Sequence, residues 1–484
     1  MTLFLQNNNY HYELENVARM FFWQLTVEAE TPAQLPDEYC VAHAVPCEAG
    51  MQLSVRCRVN GGEQQASDTL PAESTAQQLE HRLAVLLFEA LSELTGFRPP
   101  FGVMTGIRPA KYTAKLMQQG MTGDEAEQWL QTHALLAPDK AKLCRMTAES
   151  GIRLGERIRK DGFSLYVSIP FCPSRCSYCS FVSKSVERDR ALVQPYVDAL
   201  CKEIAHTADI TKNLGLTLQT VYIGGGTPSV LTAEQLQQLT SCIAAVYPFP
   251  SEGEYSVEAG RPETITEEKL RVLKAAGVTR ISINPQTGND EVLRRVGRKH
   301  TAADITRCYE MARAMGFDNI NADLIAGLPG DDLESFKRTL DWVQGTLQAE
   351  NITVHALTLK RASTMRETVS EASSPEAAAM VSHAFSQLTA GGWAPYYMYR
   401  QKGTVDSLEN PGYSKAGYEC LYNLFIMDEL QSIVACGAGA VTKLRHPETG
   451  VIERVYDLKY PLEYMQRFDE MLSRKDYIGE FYSK

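Results

Sequence analysis

The sequence is short of positive charge. Its 48 Lys and Arg stand against 59 Asp and Glu, a formal net charge of −11 over 484 residues. A general nucleic-acid binder needs a basic footprint, so no nucleic-acid partner is expected. A local basic pocket for an acidic ligand stays open. The chain also has no apolar run long enough to span a bilayer. Its first residues, MTLFLQNNNYHYE, have no basic region followed by an apolar one, as a secretory signal would. A cytoplasmic protein without membrane contact is therefore expected. Cysteine is too thinly spread for a disulfide scaffold: 12 in 484 residues read as reduced thiols. Low-complexity tracts and a solenoid period are absent as well.

What is present is ordinary globular composition, 44% hydrophobic and 22% charged. The length is too great for one core and suggests two to four domains. Residues 1–158 mix strand and helix signals. SVRCRV at 54–59 alternates weakly before Gly61-Gly62, and residues 75–96 place Leu79, Leu83, Leu86, Leu87 and Leu91 at helical spacing before Gly96. Residues 151–162 read as a charged connector. From 164 the pattern changes to six β-rich runs, at 164–171, 218–226, 254–260, 280–286, 320–329 and 352–359, separated by helical stretches. One of these has Thr232 and Gln235 as a capping box. A second starts near Thr266 and a third near Asp331. Six β–α repeats imply a parallel sheet with right-handed crossovers, open or barrel-like, with chemistry at the carboxyl ends of its strands. After about 395 the chain turns tyrosine-rich and ends in a helical stretch, LEYMQRFDEMLSR.

Three cysteines break the scatter. FCPSRCSYCSF follows the first β run and spaces Cys172, Cys176 and Cys179 as C-x3-C-x2-C. Three thiolates on one loop can each bind one iron of a cubane, leaving the fourth iron open for a small molecule. A zinc site and three ordinary thiols are the competing readings; structural zinc commonly uses two C-x2-C halves, and no second half is nearby. Gly224-Gly225-Gly226-Thr227-Pro228 ends the second run, where glycines let backbone N–H groups approach a ligand. It lacks the Lys-Ser/Thr of a P-loop. Glu258 ends the third run, Gln286 the fourth, Arg298 follows in VGRKH, and Asp323 lies in NADLIAGLP. Glu258 also reads as an exposed helix-entry acid, and Gln286, Arg298 and Asp323 each as a satisfied polar group near a strand end. His300 and His355 receive no role.

YVSIPFCPSRCSYCSF resembles the radical S-adenosylmethionine (radical SAM) signature, in the form used by the oxygen-independent coproporphyrinogen III oxidase/dehydrogenase family and its heme-chaperone relatives. FGVMTGIRPAKY at 101–112 and SLENPGYSKAGYECLYN at 407–423 resemble its HemZ-type branch, which extends the likeness to nearly the whole chain. The resemblance implies an α/β fold. Its parts would be an N-terminal α/β accessory domain (1–158), a partial (β/α)6 radical-SAM barrel (159–395) and a mixed C-terminal extension covering the barrel (396–484). It implies a [4Fe–4S] cluster on Cys172, Cys176 and Cys179. S-adenosylmethionine would be held by Tyr166, Tyr178, Gly225, Gly226, Thr227, Glu258, Gln286, Arg298 and Asp323, with apolar contacts from Leu357 and Val441. Tyr166 and Glu258 are the expected catalytic pair.

The implied reaction starts when the reduced cluster passes an electron to S-adenosylmethionine. The resulting 5′-deoxyadenosyl radical takes a hydrogen from a propionate of coproporphyrinogen III; loss of carbon dioxide and of a further electron to an acceptor leaves a vinyl group, and two such conversions give protoporphyrinogen IX. A reduced flavodoxin- or ferredoxin-type donor, a tetrapyrrole or heme as partner, and a monomeric state are expected with it. Two departures touch the reaction chamber: Ser168 stands where the family has histidine, and Phe181 where it has a fourth cysteine. They leave rival readings open: a heme chaperone, or a related radical methyltransferase or tetrapyrrole-cleaving enzyme. Arg108, Lys111, Arg361, Arg400 and Lys402 are candidate carboxylate partners for a tetrapyrrole.

Overall fold

A computed structural model describes the chain except residues 180–182, 249–252, 359–374, 402–407 and 484. Two compact units result. The first is Met1–Arg145 with Arg400, Gln401 and Leu408; the second holds the remaining described residues.

In the first unit, β1 (Thr2–Gln6), β2 (Thr26–Glu28), β3 (Tyr39–Cys47), β4 (Gly50–Val59) and β5 (Gly62–Leu70) form one sheet in the order β2-β1-β3-β4-β5. Gly61, with φ +79°, turns β4 into β5 as its sequence suggests. The helix Ala76–Thr95 packs on β4. Thr75 and Gln78 cap its start reciprocally, and Gly96 in the left-handed region ends it. Its buried face includes Leu79, Leu83, Leu86, Leu87, Phe88 and Leu91. Each such side chain contributes about 1.5–3 kcal/mol by leaving water, so this helix is the main anchor of the unit.

In the second unit, the six runs become β6 (Gly162–Ile169), β9 (Thr217–Gly225), β10 (Glu254–Gly260), β11 (Arg280–Ile283), β12 (Ile320–Ala326) and β13 (Asn351–Ala356). The short pair β7 (Phe171–Cys172) and β8 (Lys184–Ser185) lies between the first two. The six long strands are all parallel and adjacent in chain order. Capping boxes and N-caps start the crossover helices: Thr232 before Ala233–Val246, Thr266 before Glu267–Ala275 and Asp332 before Leu333–Trp342. The fourth run ends at Ile283 rather than at residue 286, because Pro285 has no N–H for a ladder.

The C-terminal segment belongs to the same unit and the same sheet, so the three-part division expected from sequence becomes two units. β14 (Ala394–Arg400) and β15 (Glu409–Ser414) extend the sheet beyond β13. β16 (Ser432–Cys436) pairs in parallel with β6, and β17 (Val441–Arg445) and β18 (Ile452–Tyr456) follow it. The six-strand arc is thus an open barrel with both edges occupied. Two further expectations change. The helix Pro138–Gly155 runs through the first residues of the expected 151–162 connector, and the division between the units falls inside it at residues 145–146, ahead of the expected boundary at 158, with Leu154 in a core cluster of the second unit. The final helical stretch breaks at Arg467 into Pro461–Gln466 and Phe468–Tyr482. Among the described residues, no helix is long and apolar enough to cross a membrane.

Candidate active site at the carboxyl ends of the parallel strands

The cysteine loop starts where β6 ends. Cys172 lies in β7 and Cys176 in the following turn, both buried; Cys179, whose N–H donates to the Cys176 carbonyl at 3.1 Å, is half-buried. The loop is clamped by the glycine run. Gly226 N donates to the Ile169 carbonyl at 2.8 Å, and Thr227 N to the Phe171 carbonyl at 2.8 Å. A Cβ on Gly226 would stand 2.5 Å from the Phe171 oxygen. The first use of that glycine is therefore to let two backbones meet, which refines the ligand-approach reading of the sequence.

Among the described residues, the side chains of Arg261, Thr227 and Tyr178 reach the sulfurs. Arg261, 5% exposed, donates to Cys176 Sγ at 2.9 Å and to the Ser174 side chain and carbonyl, both at 2.7 Å. Thr227 Oγ1 lies 3.5 Å from Cys172 Sγ as its donor. Guanidinium and hydroxyl donors suit sulfurs that carry negative charge. Glu263 holds Arg261 at 3.5 Å and accepts from His300 Nδ1 at 2.9 Å. Burial would raise the Glu263 carboxyl, but the hydrogen bond and charge of His300 outweigh it and hold the group down to about 2. His300, given no role from sequence, thus supports the arginine. Among the described residues, no three His, Cys, Asp or Glu side chains gather as ligands of one ion. A cubane asks for a different arrangement, each thiolate meeting its own iron.

Glu258 sits at the centre of the strand ends. It accepts from Tyr222 Oη at 2.7 Å and from Gly225 N at 3.2 Å. Burial pushes its carboxyl up to about 7, against the Tyr222 bond and with the Asp323 charge adding to the rise. Tyr222 was not singled out from sequence. Its ring lies in a stack with Tyr166 and Tyr422: centroids are 4.4 Å apart for Tyr222–Tyr422, 6.2 Å for Tyr166–Tyr222 and 6.1 Å for Tyr166–Tyr422, with interplanar angles of 17–22°. Glu254, from the opposite end of the Glu258 strand, fixes Tyr422. Its carboxylate accepts from Leu421 N at 2.5 Å, Tyr422 N at 3.4 Å and Cys420 Sγ at 3.1 Å, capping the helix Leu421–Asp428. One tyrosine of the tyrosine-rich tail therefore forms a wall of this site, whereas Tyr396, Tyr397 and Tyr413 are core residues.

The remaining expected residues are placed as follows. Gln286 adopts φ +68°, a left-handed conformation uncommon outside glycine; its N–H donates to the Asp323 carbonyl at 2.8 Å and its carbonyl accepts from Ile325 N at 2.9 Å. Asp323 accepts from Asn321 Nδ2 at 2.8 Å and lies 3.9 Å from His355 Nε2. Burial raises its carboxyl, yet the His355 and Asn321 contacts bring it below the usual range. Arg298 directs Nε and Nη2 to Tyr178 Oη at 3.2 and 3.0 Å and Nη1 to the Asn284 carbonyl at 3.1 Å, so its fork is seated on protein rather than left open. Leu357 is buried just beyond β13; Val441 opens β17 and is 36% exposed.

Ser168 donates to the Ala438 carbonyl at 2.9 Å, so this departure from the family pattern is tied to the C-terminal segment. Phe181, Arg361 and Lys402 lie outside the described residues. Arg108, Lys111 and Arg400 belong to the first unit, where Arg400 stacks over Phe101 at 4.3 Å.

A radical SAM superfamily model matches residues 166–343. The oxygen-independent coproporphyrinogen-III oxidase-like protein HemZ of Bacillus subtilis is 32% identical over 493 aligned positions, covering 99% of this chain and 98% of that protein. The chain belongs to the radical SAM superfamily, in this HemZ-type branch of the coproporphyrinogen III oxidase family. Membership implies a [4Fe–4S] cluster and S-adenosylmethionine as cofactors. The heme chaperone HemW of Bacillus subtilis is 39% identical over 195 residues, 40% of this chain and 50% of that one. The solved structure of coproporphyrinogen III oxidase HemN from Escherichia coli, a radical SAM enzyme, superposes with a TM-score of 0.52 at 25% identity, covering 67% of this chain and 73% of that one. The HemZ-type chain thus shares its radical SAM fold with an oxidase, and its family holds both oxidases and chaperones.

Proposed function

We propose that this HemZ-type protein is an oxidoreductase that decarboxylates coproporphyrinogen III oxidatively to protoporphyrinogen IX without oxygen, taking the electron that cleaves S-adenosylmethionine from a reduced flavodoxin- or ferredoxin-type donor and passing the electron lost by the substrate to a one-electron acceptor. One observation carries the reading: the glycine run at the end of β9 clamps the loop of Cys176, which bears a guanidinium hydrogen bond and follows β6 on one side, and donates a hydrogen bond to Glu258 of β10 on the other. In this reading Cys172, Cys176 and Cys179 hold the cluster. The donor set fits it, since buried sulfurs already receive a cationic and a hydroxyl donor. When bound, the cluster and S-adenosylmethionine supply the hydrogen-atom abstraction.

The chain's residues do the rest. Arg261 offsets charge on Cys176 and, with Ser174, fixes the loop. Glu258 offers a carboxylate to ribose or ammonium donors, oriented by Tyr222 and Gly225. Tyr166, Tyr222 and Tyr422 exclude water from that carboxylate. Asp323, Gln286 and Arg298, with Tyr178, Gly226 and Thr227, line the neighbouring strand ends; Leu357 and Val441 add apolar contact.

Glu258 gives this assignment a pH signature. Its carboxylate form accepts ligand donors, and that form grows as pH rises through about 7. The affinity of reconstituted protein for S-adenosylmethionine, measured by anaerobic equilibrium dialysis, is expected to rise up to about tenfold from pH 6 to 8. Glu258→Gln is expected to bind weakly at every pH. Tyr222→Phe removes a bond that lowers the Glu258 pKa, so its midpoint moves upward. An unmoved midpoint in Tyr222→Phe rejects the orienting role.

The substrate is tested by incubating reduced, reconstituted protein with S-adenosylmethionine, coproporphyrinogen III and a one-electron acceptor under anaerobic conditions. Protoporphyrinogen IX and 5′-deoxyadenosine are expected to appear together. 5′-Deoxyadenosine with untouched porphyrinogen rejects the substrate. A heme chaperone is the second reading, favoured by Ser168, whose hydroxyl is occupied by Ala438 where the oxidase pattern has histidine. Stoichiometric heme binding without decarboxylation selects it.

A further inference from the structure

The motif at 101–112 has no part in the strand-end site. It lines a cavity of about 270 Å³ within the first unit. Glu13 comes from the helix His11–Arg19, Glu80 and His81 from the helix Ala76–Thr95, Tyr112 from Pro109–Gln118 and Trp129 from Gly123–Thr132. Val103 and Ala84 supply apolar lining. That volume suits a small molecule or one long side chain.

The wall brings two carboxylates and two large aromatic rings together, with Arg108 also among its residues. The Glu13 carboxylate accepts from Thr105 Oγ1 at 2.9 Å, and the Glu80 carboxylate accepts from the Glu13 backbone N–H. Among the described residues, the hydrogen bonds of the two carboxylates come from a hydroxyl and a backbone N–H, and Glu80 also lies near Tyr10 and Glu13 near His81. Burial raises the Glu80 carboxyl, and the nearby charge of Glu13 raises it further. Burial lowers His81, whose ring meets the His133 carbonyl at 3.0 Å, so it stands there neutral. Opposite, the Trp129 ring lies 5.7 Å from Tyr112 and is backed by His133 in a parallel stack at 5.1 Å and 4°. This backing holds one indole face in place. Carboxylates and aromatic faces both attract positive charge, and the aliphatic lining adds room for a short carbon chain. Arg108 lines the same cavity and brings a cation to its rim.

We propose that this cavity binds an organic cation, a guanidinium or alkylammonium group on a short aliphatic stem, between the Glu13–Glu80 pair and the Trp129–Tyr112 rings. The bound charge relieves the carboxylate pair, and the stem covers Val103 and Ala84. The site is independent of the radical chemistry, so its binding persists even if the proposed reaction fails. The same group can arrive as a free small molecule or as an arginine of a partner protein.

The test uses the full-length protein, with butylguanidinium chloride and its neutral isostere butylurea as probes in calorimetric titrations at pH 7.5. Butylguanidinium is expected to bind saturably and at least about tenfold more tightly than butylurea. Glu80→Gln and Trp129→Leu are each expected to lose about tenfold, with an unchanged thermal midpoint showing that the unit is folded. Equal binding of the two probes, absence of saturable butylguanidinium binding, or an unaffected folded Glu80→Gln variant overturns the proposal. A third probe, the capped peptide acetyl-Gly-Arg-Gly-amide, separates the sources. Binding tighter than butylguanidinium points to an arginine of a partner, and weaker binding to a free cation.

Discussion

Alanine at position 176 is expected to give a folded, colourless protein. Cys176 is buried at the centre of the cysteine loop and is the sulfur on which Arg261 converges. Without it two cysteines remain, Cys172 and Cys179, too few to hold three irons of a cubane while leaving the fourth for S-adenosylmethionine. The brown absorption of the reconstituted protein and reductive cleavage of S-adenosylmethionine are both expected to be lost, the second by a factor of more than about 10³. A Cys176→Ala variant with a normal cluster spectrum overturns the ligand assignment. Arg261→Met makes a sharper comparison. It leaves all three sulfurs but removes a charged donor from one of them, so the cluster should form with a more negative reduction potential. An unchanged potential would show that the guanidinium acts on the loop and not on the cluster.

The second large effect concerns stability. Lys475, on the last helix, is fully buried against Glu203 at 3.1 Å and Asp457 at 2.7 Å, and it also donates to the Ala435 carbonyl of β16 at 2.6 Å. Glu203 accepts in turn from Gly437 N and Tyr464 Oη. One ammonium therefore joins three parts of the second unit. Lys475→Met strands two carboxylates without a counter-charge, at an expected cost of about 3–5 kcal/mol. Thermal unfolding of the second unit should begin several degrees lower. Replacing all three residues by apolar ones of similar volume should recover most of the loss; failure of that triple variant, with a stable Lys475→Met, would show that the ion cluster contributes little. Burial pushes the Asp457 carboxyl up, with Lys475 opposing and Glu203 adding to the rise. A carboxyl raised on folding contributes its stability below its unfolded pKa and loses it as pH climbs through the folded value, so this group makes stability decline with rising pH above the ordinary carboxylate range.

Much of the site can be read from local patterns. The cysteine spacing, the glycine run after β9, and Glu258 at the end of β10 are short motifs attached to strands whose runs are visible in the chain. What is not visible depends on pairings between distant segments. Tyr222 reads as one more residue of an apolar strand, and its bond to Glu258 follows from the register that sets β9 beside β10. Arg261 follows a strand with no motif around it, and its meeting with Cys176 spans 85 residues. Tyr422 looks like any ring of a tyrosine-rich tail until Glu254 caps its helix. Gln286 carries no sign of its left-handed backbone, because that conformation is imposed by Asp323 and Ile325 on the adjoining strand. Lys475 has the pattern of a solvated helix charge, and nothing local announces two acids beside it.

The parallel pairing of β6 with β16 has a consequence for how the molecule is made. Phe163 is the partner of Ser432 and Val167 of Cys436, so the first strand of the barrel finds one of its two neighbours only after translation has passed residue 436. Until then the nascent chain carries a row of unpaired amides on the strand that leads into the cysteine loop. Closing this contact early is impossible, and so distant a pairing is slow to find. Ribosome-bound intermediates halted before β16 should therefore depend on chaperones that mask strand edges, and loading of iron and sulfur should follow release of the chain.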